Sequence, residues 1–310
     1  MRHCEELCKA PAPFGFLVLD KPAGLSSHGC VSRVRRAYGL KRVGHGGTLD
    51  PAVTGVLPIA LGPATRLLPY LSGDKAYRGI VQLGLNTSTD DLEGEVLQRT
   101  PLPADLDQQR VEAALAAFRG PINQVPPQVS AVHVEGVRAY QRARRGETVS
   151  LAARAVTIHR LTLLAYDPAQ GQLELEVRCS AGTYIRALAR DLGTALGTGG
   201  ALASLRRTMA LGFDLNDAVP WEALDPQVLA AGAPLPGLRS PLAALGHLAQ
   251  QQLGDGELDG WRCGRQLQAH QAWPAGTAVV ITTLQGDLAG VANASQDGSL
   301  QPKLVLDAAG

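Results

Sequence analysis

Residues 172–197 read QLELEVRCSAGTYIRALARDLGTALG, and this stretch decides the fold. Leu173, Leu175, Val177 and Cys179 alternate strictly with Gln172, Glu174, Glu176 and Arg178. A period of two predicts a half-buried antiparallel strand, apolar on one face and wetted on the other. Ser180-Ala181-Gly182 then turns the chain. Thr183 is placed to cap a helix on which Tyr184, Ile185, Leu188, Leu192 and Leu196 share a face, and Gly197 closes it. Arg186 thereby falls in the first turn of a helix leaving a sheet edge, a firm mount for a functional cation. The class implied is α+β: a mixed, mostly antiparallel sheet flanked by helices.

The flanking sequence fits that class. Phe14 to Asp20 (FGFLVLD) is a short apolar run ending in Lys21-Pro22-Ala23-Gly24, hence a strand and a turn. Ser26 or Ser27 caps a helix carrying Val31, Val34 and Tyr38, which Gly39 stops. Tyr77 to Leu83 reads as a strand. Arg110 to Phe118 reads as a helix with Val111, Leu115 and Phe118 on one face, ended by Gly120-Pro121. The span 44–63, rich in Gly and Pro, is expected to be mostly loop. From Asp217 to Leu245 the composition shifts to Pro, Ala and Leu, which reads as a linker with one short helix. Beyond it, Thr277 to Thr283, Leu288 to Asn293 and Lys303 to Leu306 read as short strands of a small β domain. There is no long internal repeat.

Composition narrows the function. The 310 residues are 45% hydrophobic and 18% charged, a globular balance with no apolar run near membrane-spanning length. The opening Met1-Arg2-His3-Cys4-Glu5-Glu6 is not a secretory signal, so a cytoplasmic location is expected. Five scattered cysteines without a CxxC pair read as reduced thiols. His3, Cys4 and Cys8 form a loose metal-type group in a start that reads as frayed. The net charge of +1 conceals segregation. Arg33, Arg35, Arg36, Lys41 and Arg42 stand without an acid between Val31 and Leu49. Arginines 138, 142, 144, 145, 154 and 160 face a single Glu147, while acids gather in Asp90-Asp91-Leu92-Glu93-Gly94-Glu95. Such patches suit a phosphate backbone, or serve as solvated helix faces.

The remaining signal is Gly44-His45-Gly46-Gly47-Thr48-Leu49-Asp50-Pro51-Ala52-Val53-Thr54-Gly55-Val56-Leu57-Pro58. On its residues alone this is a glycine-rich loop holding one imidazole and one carboxylate. A Walker phosphate loop would need a GK[ST] ending, which is absent. A lone Asp before Pro is ordinarily a turn residue.

The stretch GHGGTLDPAVTGVLPI resembles the signature of the TruB family, the tRNA pseudouridine-55 synthases, whose usual form is GHTGTLDPLATGVLP. LVLDKPAGLSS (17–27), KAYR (75–78), PPQVSAVHVEGVRAYQRARRG (126–146), CSAGTYIR (179–186) and Leu205-Arg206-Arg207 are similar to further motifs of that family, in the same order. Residues from about 245 to 306 more loosely resemble a PUA module, an RNA-binding β-barrel. The resemblance implies a pseudouridine synthase fold with a catalytic domain at 1–235, including an RNA-gripping insertion at about 124–152. A linker and PUA-like domain would occupy 236–310.

It further implies an enzyme that needs no cofactor and no metal. The N1–C1′ bond of a uridine is cut, the freed uracil turns, and C5 is joined to C1′. Asp50 is cast as nucleophile, attacking C1′ or C6. A carboxylate in a dry pocket needs a cation beside it, and Arg186 is cast as that partner through a bidentate pair. Tyr77 would stack on the base and help move the C5 proton, and Tyr184 and Leu205 would shape the pocket walls. His45 would fill the space left by the flipped base. Lys21, Arg66, Arg138, Arg142, Arg144 and Arg145 are expected to touch the RNA backbone. The implied partner is the T-arm stem-loop of tRNA, with no membrane and no obligate protein partner. A rival in another class, a chaperone that refolds tRNA without chemistry, would use the same basic surfaces.

The chain departs from the family pattern at several positions. Gly46 replaces Thr and Ala52-Val53 replace Leu-Ala, so a more flexible loop would place Asp50 less firmly. Val129 and His133 replace an aromatic and a lysine, and Arg66 replaces a lysine.

Overall fold

The computed structural model describes residues 13–306 apart from 131, 135, 144 and 148. His3, Cys4 and Cys8 lie outside the described residues. In chain order the elements of the larger sheet and its helices are β1 (Gly15–Lys21), α1 (Ser27–Ala37), β2 (Val43–His45), β3 (Thr54–Leu61), β4 (Lys75–Leu83), a hairpin of β5 (Leu85–Thr87) and β6 (Val96–Arg99), α2 (Gln108–Ala116) and β7 (Gly120–Gln124). The insertion holds β8 (His133–Val134), β9 (Val137–Arg138) and α3 (Ala139–Ala143). Then come β10 (Arg154–Asp167), β11 (Gln172–Cys179), α4 (Ile185–Ala195), β12 (Gly200–Ala210), β13 (Phe213–Asp214) and β14 (Val219–Pro220).

These strands build a ten-stranded sheet in the order β14-β1-β3-β12-β4-β11-β10-β7, with β13 on β12 and β2 on β3. Only the β1–β14 and β3–β12 pairs are parallel, so the sheet is mixed and mostly antiparallel, as expected. β11 is an interior strand between β4 and β10, so α4 leaves the middle of the sheet and not its edge. Thr183 does not cap α4. Its hydroxyl donates to the Ser180 carbonyl instead, and Tyr184 occupies the cap position.

Patterning explains which face each strand buries. β11 alternates because α2 and α4 cover one face while Glu174, Glu176 and Arg178 meet solvent or cross-strand partners on the other. β1 is continuously apolar from Phe16 to Leu19 because both faces are covered there. Leu17 and Leu19 pack toward Cys30, Val31 and Val34 of α1, while Phe16 and Val18 pack toward Val280, Val291 and Leu304 of a second sheet. Burial of each such side chain stabilises the fold by roughly 1.5–3 kcal/mol.

The second sheet follows α5 (Pro226–Ala230) and α6 (Pro241–Ala244) and comprises β15 (Ala249–Gln252), α7 (Asp255–Arg262), β16 (Leu267–Gln268), β17 (Ala278–Thr282), β18 (Leu288–Ala294) and β19 (Ser299–Val305). Its order is β15-β17-β18-β19-β16, a curled half-barrel. Gln251 bridges the two edge strands, donating to the Gln268 carbonyl at 3.1 Å and accepting from the His270 N–H at 2.8 Å.

Two expectations fail for one reason. The span 44–63 is not mostly loop, because β3 is a core strand and only residues 46–53 are irregular. Pro58 lies within β3 at a point past the end of β2, where its carbonyl accepts from Gly46 N–H at 2.8 Å. Lacking an N–H, Pro58 returns no bond to Gly46, and the β2–β3 ladder stops at His45↔Ile59. The 217–245 stretch likewise contributes β14, which pairs with β1.

Candidate active site

The loop 46–53 is held by side chains that reach its carbonyls from three directions. Ser26 caps α1, accepting from Gly29 N–H, and this places Ser27 beneath the loop. The Ser27 hydroxyl donates to Leu49 O at 3.1 Å and accepts from Leu49 N–H at 2.8 Å. Lys21, 0% exposed, donates its ammonium to the carbonyls of Pro22, Pro51 and Val53 at 2.8, 3.0 and 2.6 Å. Arg207, also 0% exposed, donates to Val56 O at 2.8 Å, Thr48 O at 3.4 Å and Gly47 O at 3.1 Å. Asp50 O accepts from Val53 N–H at 3.1 Å, closing the turn. Every carbonyl from Gly47 to Pro51 thus has a donor, as buried backbone requires.

Lys21 was expected on the RNA backbone, and the structure overturns that: it is wholly buried and holds the loop. At Gly46, where the family pattern has Thr, the space is taken by a neighbour. A side chain there would meet Leu211 at 1.9 Å, so Leu211 fills the space that a larger residue would need. At Gly55 a side chain would meet the Arg207 carbonyl at 2.1 Å, and its φ of +102° suits glycine alone. This close approach lets β12 pair with β3 at Gly55↔Arg207 and carries the guanidinium under the loop.

With its backbone fixed, Asp50 presents its carboxylate to a cleft of about 900 Å³. The walls include His28, His45, Lys75, Tyr77, Asp91, Tyr184, Arg186 and Leu205. The Asp50 side chain is 46% exposed, and Arg186, 10% exposed, places Nη2 at 3.0 Å from its Oδ2. The pair is not the bidentate fork expected. The same Nη2 donates to Val129 O at 2.9 Å, while Nη1 faces Asp91 at 3.5 Å and donates to Thr89 O at 3.1 Å. One guanidinium therefore bridges two carboxylates and two carbonyls, which fixes its plane. Asp90, beside Asp91, binds Arg190 of α4 at 2.8 Å. The acidic run set apart from the basic patches in sequence thus lies along the cleft and orders α4.

Tyr77 is buried and lines the cleft; burial pushes its phenol up, against the pull of the neighbouring Arg207 charge. Burial, reinforced by Arg207, holds Lys75 below its usual value. His45 is likewise lowered by burial and by Arg207, and its Nδ1 has no protein partner. Tyr184 starts α4, and its N–H donates to Gln124 Oε1 at 2.8 Å while its ring packs on Val132, Ala139, Val149 and Leu151 of the insertion. Leu205 lies against Gly79, where a side chain would meet it at 2.9 Å.

The expected RNA-backbone residues lie elsewhere. Arg66 donates to the Val305 carbonyl at 3.3 Å, tying the main sheet to the half-barrel. Arg142 lies 4.0 Å from Glu147, and Arg145 is exposed at the end of α3. Arg144 and the side chain of Arg138 lie outside the described residues. Among the described residues no group of His, Cys, Asp and Glu is arranged to hold a metal, and no helix is long and apolar enough to cross a membrane.

Sequence reading missed Ser27, Lys21 as a loop anchor, Asp91 and Arg207. The motifs LVLDKPAGLSS and Leu205-Arg206-Arg207 contained three of them, without showing that all three converge on residues 47–53.

Residues 35–185 match the family profile described as TruB family pseudouridylate synthase (N terminal domain), and residues 186–235 match the tRNA pseudouridylate synthase B C-terminal domain. The chain is 64% identical over 298 residues to the tRNA pseudouridine synthase B of Parasynechococcus marenigrum (strain WH8102), covering 96% of this chain and 99% of that protein. It is 58% identical over 300 residues to the protein of the same name from Synechococcus sp. (strain WH7803), with coverage of 96% and 99%. Among solved structures, a chain of an H/ACA RNP bound to a substrate RNA containing 2′-deoxyuridine superposes with a TM-score of 0.71 at 23% identity, covering 95% of this chain and 85% of that one; the likeness is one of fold. With near-complete coverage at such identity, the chain belongs to the TruB family of pseudouridylate synthases.

Proposed function

We propose that this pseudouridine synthase isomerises a uridine of tRNA, the uridine at position 55 in the T-arm loop, with Asp50 as the nucleophile. The observation that carries the reading is the Asp50 carboxylate, 3.0 Å from a nearly buried guanidinium and open to a cleft of about 900 Å³. A single everted nucleotide fits such a space, and flipping it costs a few kcal/mol. Asp50 attacks C1′ or C6 while Arg186 holds its carboxylate in place. Tyr77 stacks on the freed uracil, and Leu205 and Tyr184 bound its turning space. His45 occupies the gap in the stack. The insertion arginines, Arg142 and Arg145 among them, meet the phosphate backbone, and the half-barrel acts as a PUA-like second RNA contact. A chaperone role without chemistry would leave the Asp50–Arg186 pair without a purpose.

The test is an isolated T-arm stem-loop carrying C5-tritiated uridine, incubated with the purified protein. Tritium release is expected from the intact stem-loop, and none when cytidine replaces the target uridine. Release from an anticodon stem-loop but not from the T-arm would overturn the assignment of the substrate.

A further inference from the structure

Arg207 is chemically conspicuous. It is fully buried, yet none of the ion pairs among the described residues includes it. Its hydrogen-bond acceptors are the carbonyls of Val56, Thr48 and Gly47, and its charge acts on the neighbouring Tyr77 phenol. A neutral side chain could donate to carbonyls. Burying a full charge without an anion is costly, so the fold keeps here a cation that an uncharged donor could replace if packing were its only duty. Arg207 is the direct cross-strand partner of Tyr77, which brings the phenol and the guanidinium side by side under the loop that carries Asp50.

We propose that Arg207 is a positioning residue for the isomerisation: it fixes the Tyr77 hydroxyl beside the catalytic loop and supplies the compensating charge when that phenol ionises. The inference rests on the reading that Tyr77 handles the uracil ring. As the N1–C1′ bond breaks, the electron pair leaves on the uracil and the phenol proton passes to N1. The phenolate is then paired with Arg207. The C5=C6 pair then forms C5–C1′ and displaces the Asp50 carboxylate from C1′; the C5 proton moves to the phenolate, and the C5–H electrons restore C5=C6. One proton has moved from C5 to N1, the phenol is restored, and no co-reactant is consumed.

The groups facing the phenol fit this role. From β12 comes Arg207, from β11 Cys179, and from the loop Asp50, while Lys75 of β4 faces Arg207 and Cys179. Lys75 Nζ and Arg207 Nη1 lie 3.7 and 3.5 Å from the point where a Gly47 side chain would stand, so two cations converge on this corner. Burial, with smaller pushes from Cys179 and Asp50, raises the Tyr77 phenol, and Arg207 opposes them. Asp50 is served by Arg186 from the opposite wall, which leaves the Arg207 charge to the phenol.

The test combines Arg207→Lys with ring-fluorinated tyrosine at position 77, read as single-turnover tritium release from C5-labelled tRNA. Arg207→Lys is expected to slow release by tenfold or more, with tRNA affinity within threefold of wild type. Fluorination, which makes the phenol more acidic, is expected to recover several-fold of that loss. It should also shift the alkaline limb of the pH–rate profile toward neutrality. A wild-type rate in Arg207→Lys, or the same fluorine effect with Arg207 and with Lys, overturns the proposal. If Arg207→Lys does not fold, the intact chain with mono-, di- and trifluorotyrosine at 77 still tests it. The rate must track phenol acidity, and a flat series overturns the proposal. Tritium release by wild type in the same assay separates failure of this inference from failure of the proposed function.

Discussion

The loop 46–53 and the insertion that follows β7 face the same cleft and are built on opposite principles. The loop sinks Leu49 and Val53 into the core beside β1 and α1, and Lys21, Ser27 and Arg207 together occupy its carbonyls at Gly47, Thr48, Leu49, Pro51 and Val53. The insertion rests on a satellite cluster of Val132, Ala139, Val149 and Leu151, and on the paired bonds between Gln128 and the backbone of Val149. Its Arg145 reaches solvent. A reacting carboxylate must sit within a fraction of an ångström of its target, whereas phosphate contacts work at a distance and tolerate adjustment. Buried cations fix the first region, and a small apolar pad lets the second adapt.

The contrast can be broken at its strongest point first. Asp50→Asn keeps the shape of the side chain but removes its charge and the proposed nucleophile. Single-turnover pseudouridine formation is expected to fall by about four orders of magnitude or more, as when a covalent nucleophile is deleted elsewhere. Filter binding of tRNA should change by less than about twofold, since the phosphate contacts are untouched. Arg186→Lys comes next. A point charge cannot bridge Asp50, Asp91, Thr89 O and Val129 O together, so the rate should drop by roughly 10²–10³-fold. A rate within a factor of two of wild type would show that the planar fork is not needed.

Lys21→Met tests whether buried cations set the loop. It leaves the carbonyls of Pro22 and Val53 without their donor, while Pro51 O keeps the Gly24 N–H, and urea unfolding is expected to show a loss of about 2–4 kcal/mol. The same change at an RNA-contacting lysine would weaken binding and leave stability alone. Arg145→Ala makes the opposite test in the insertion. Stability should be unchanged, tRNA affinity a few-fold weaker, and the slope of log affinity against log salt reduced by about 0.7–0.9. An effect on turnover at saturating tRNA would contradict the division of labour.

The smallest expected effect is on acid stability. The His45 imidazole lies below its ordinary 6.5 in the folded chain because of burial and Arg207. The native state therefore binds fewer protons there than the unfolded chain. The associated stability is complete above pH 6.5 and is lost as pH falls through the lowered folded value. His45→Gln should narrow the gap between urea midpoints measured at pH 7 and pH 5, and an unchanged gap would show that another group controls that window.

What the sequence made legible follows the same division. Strands and helices with one wet face, such as Gln172–Cys179, Ser27–Ala37 and Gln108–Ala116, carry a period that survives reading in isolation. β3 did not, since its Gly and Pro residues mimic a loop, and only its neighbours β1, β2 and β12 make them compatible with a strand. Asp50, Arg186 and Tyr77 were found through motifs, and the structure places all three around one cleft. Lys21 was misjudged because a lysine beside a turn looks exposed, and its acceptors lie about thirty residues away. Asp91 is almost a hundred residues from Arg186, so no local pattern could join them.

On the proposed function, Asp50, held in this cleft, converts one uridine of tRNA. The most direct test is position-resolved mapping of pseudouridine in unmodified tRNA incubated with the wild-type chain and with Asp50→Asn. A single modified site at uridine 55 is expected with wild type and none with the variant. Pseudouridine at that site with Asp50→Asn, or at a different site with wild type, would contradict it.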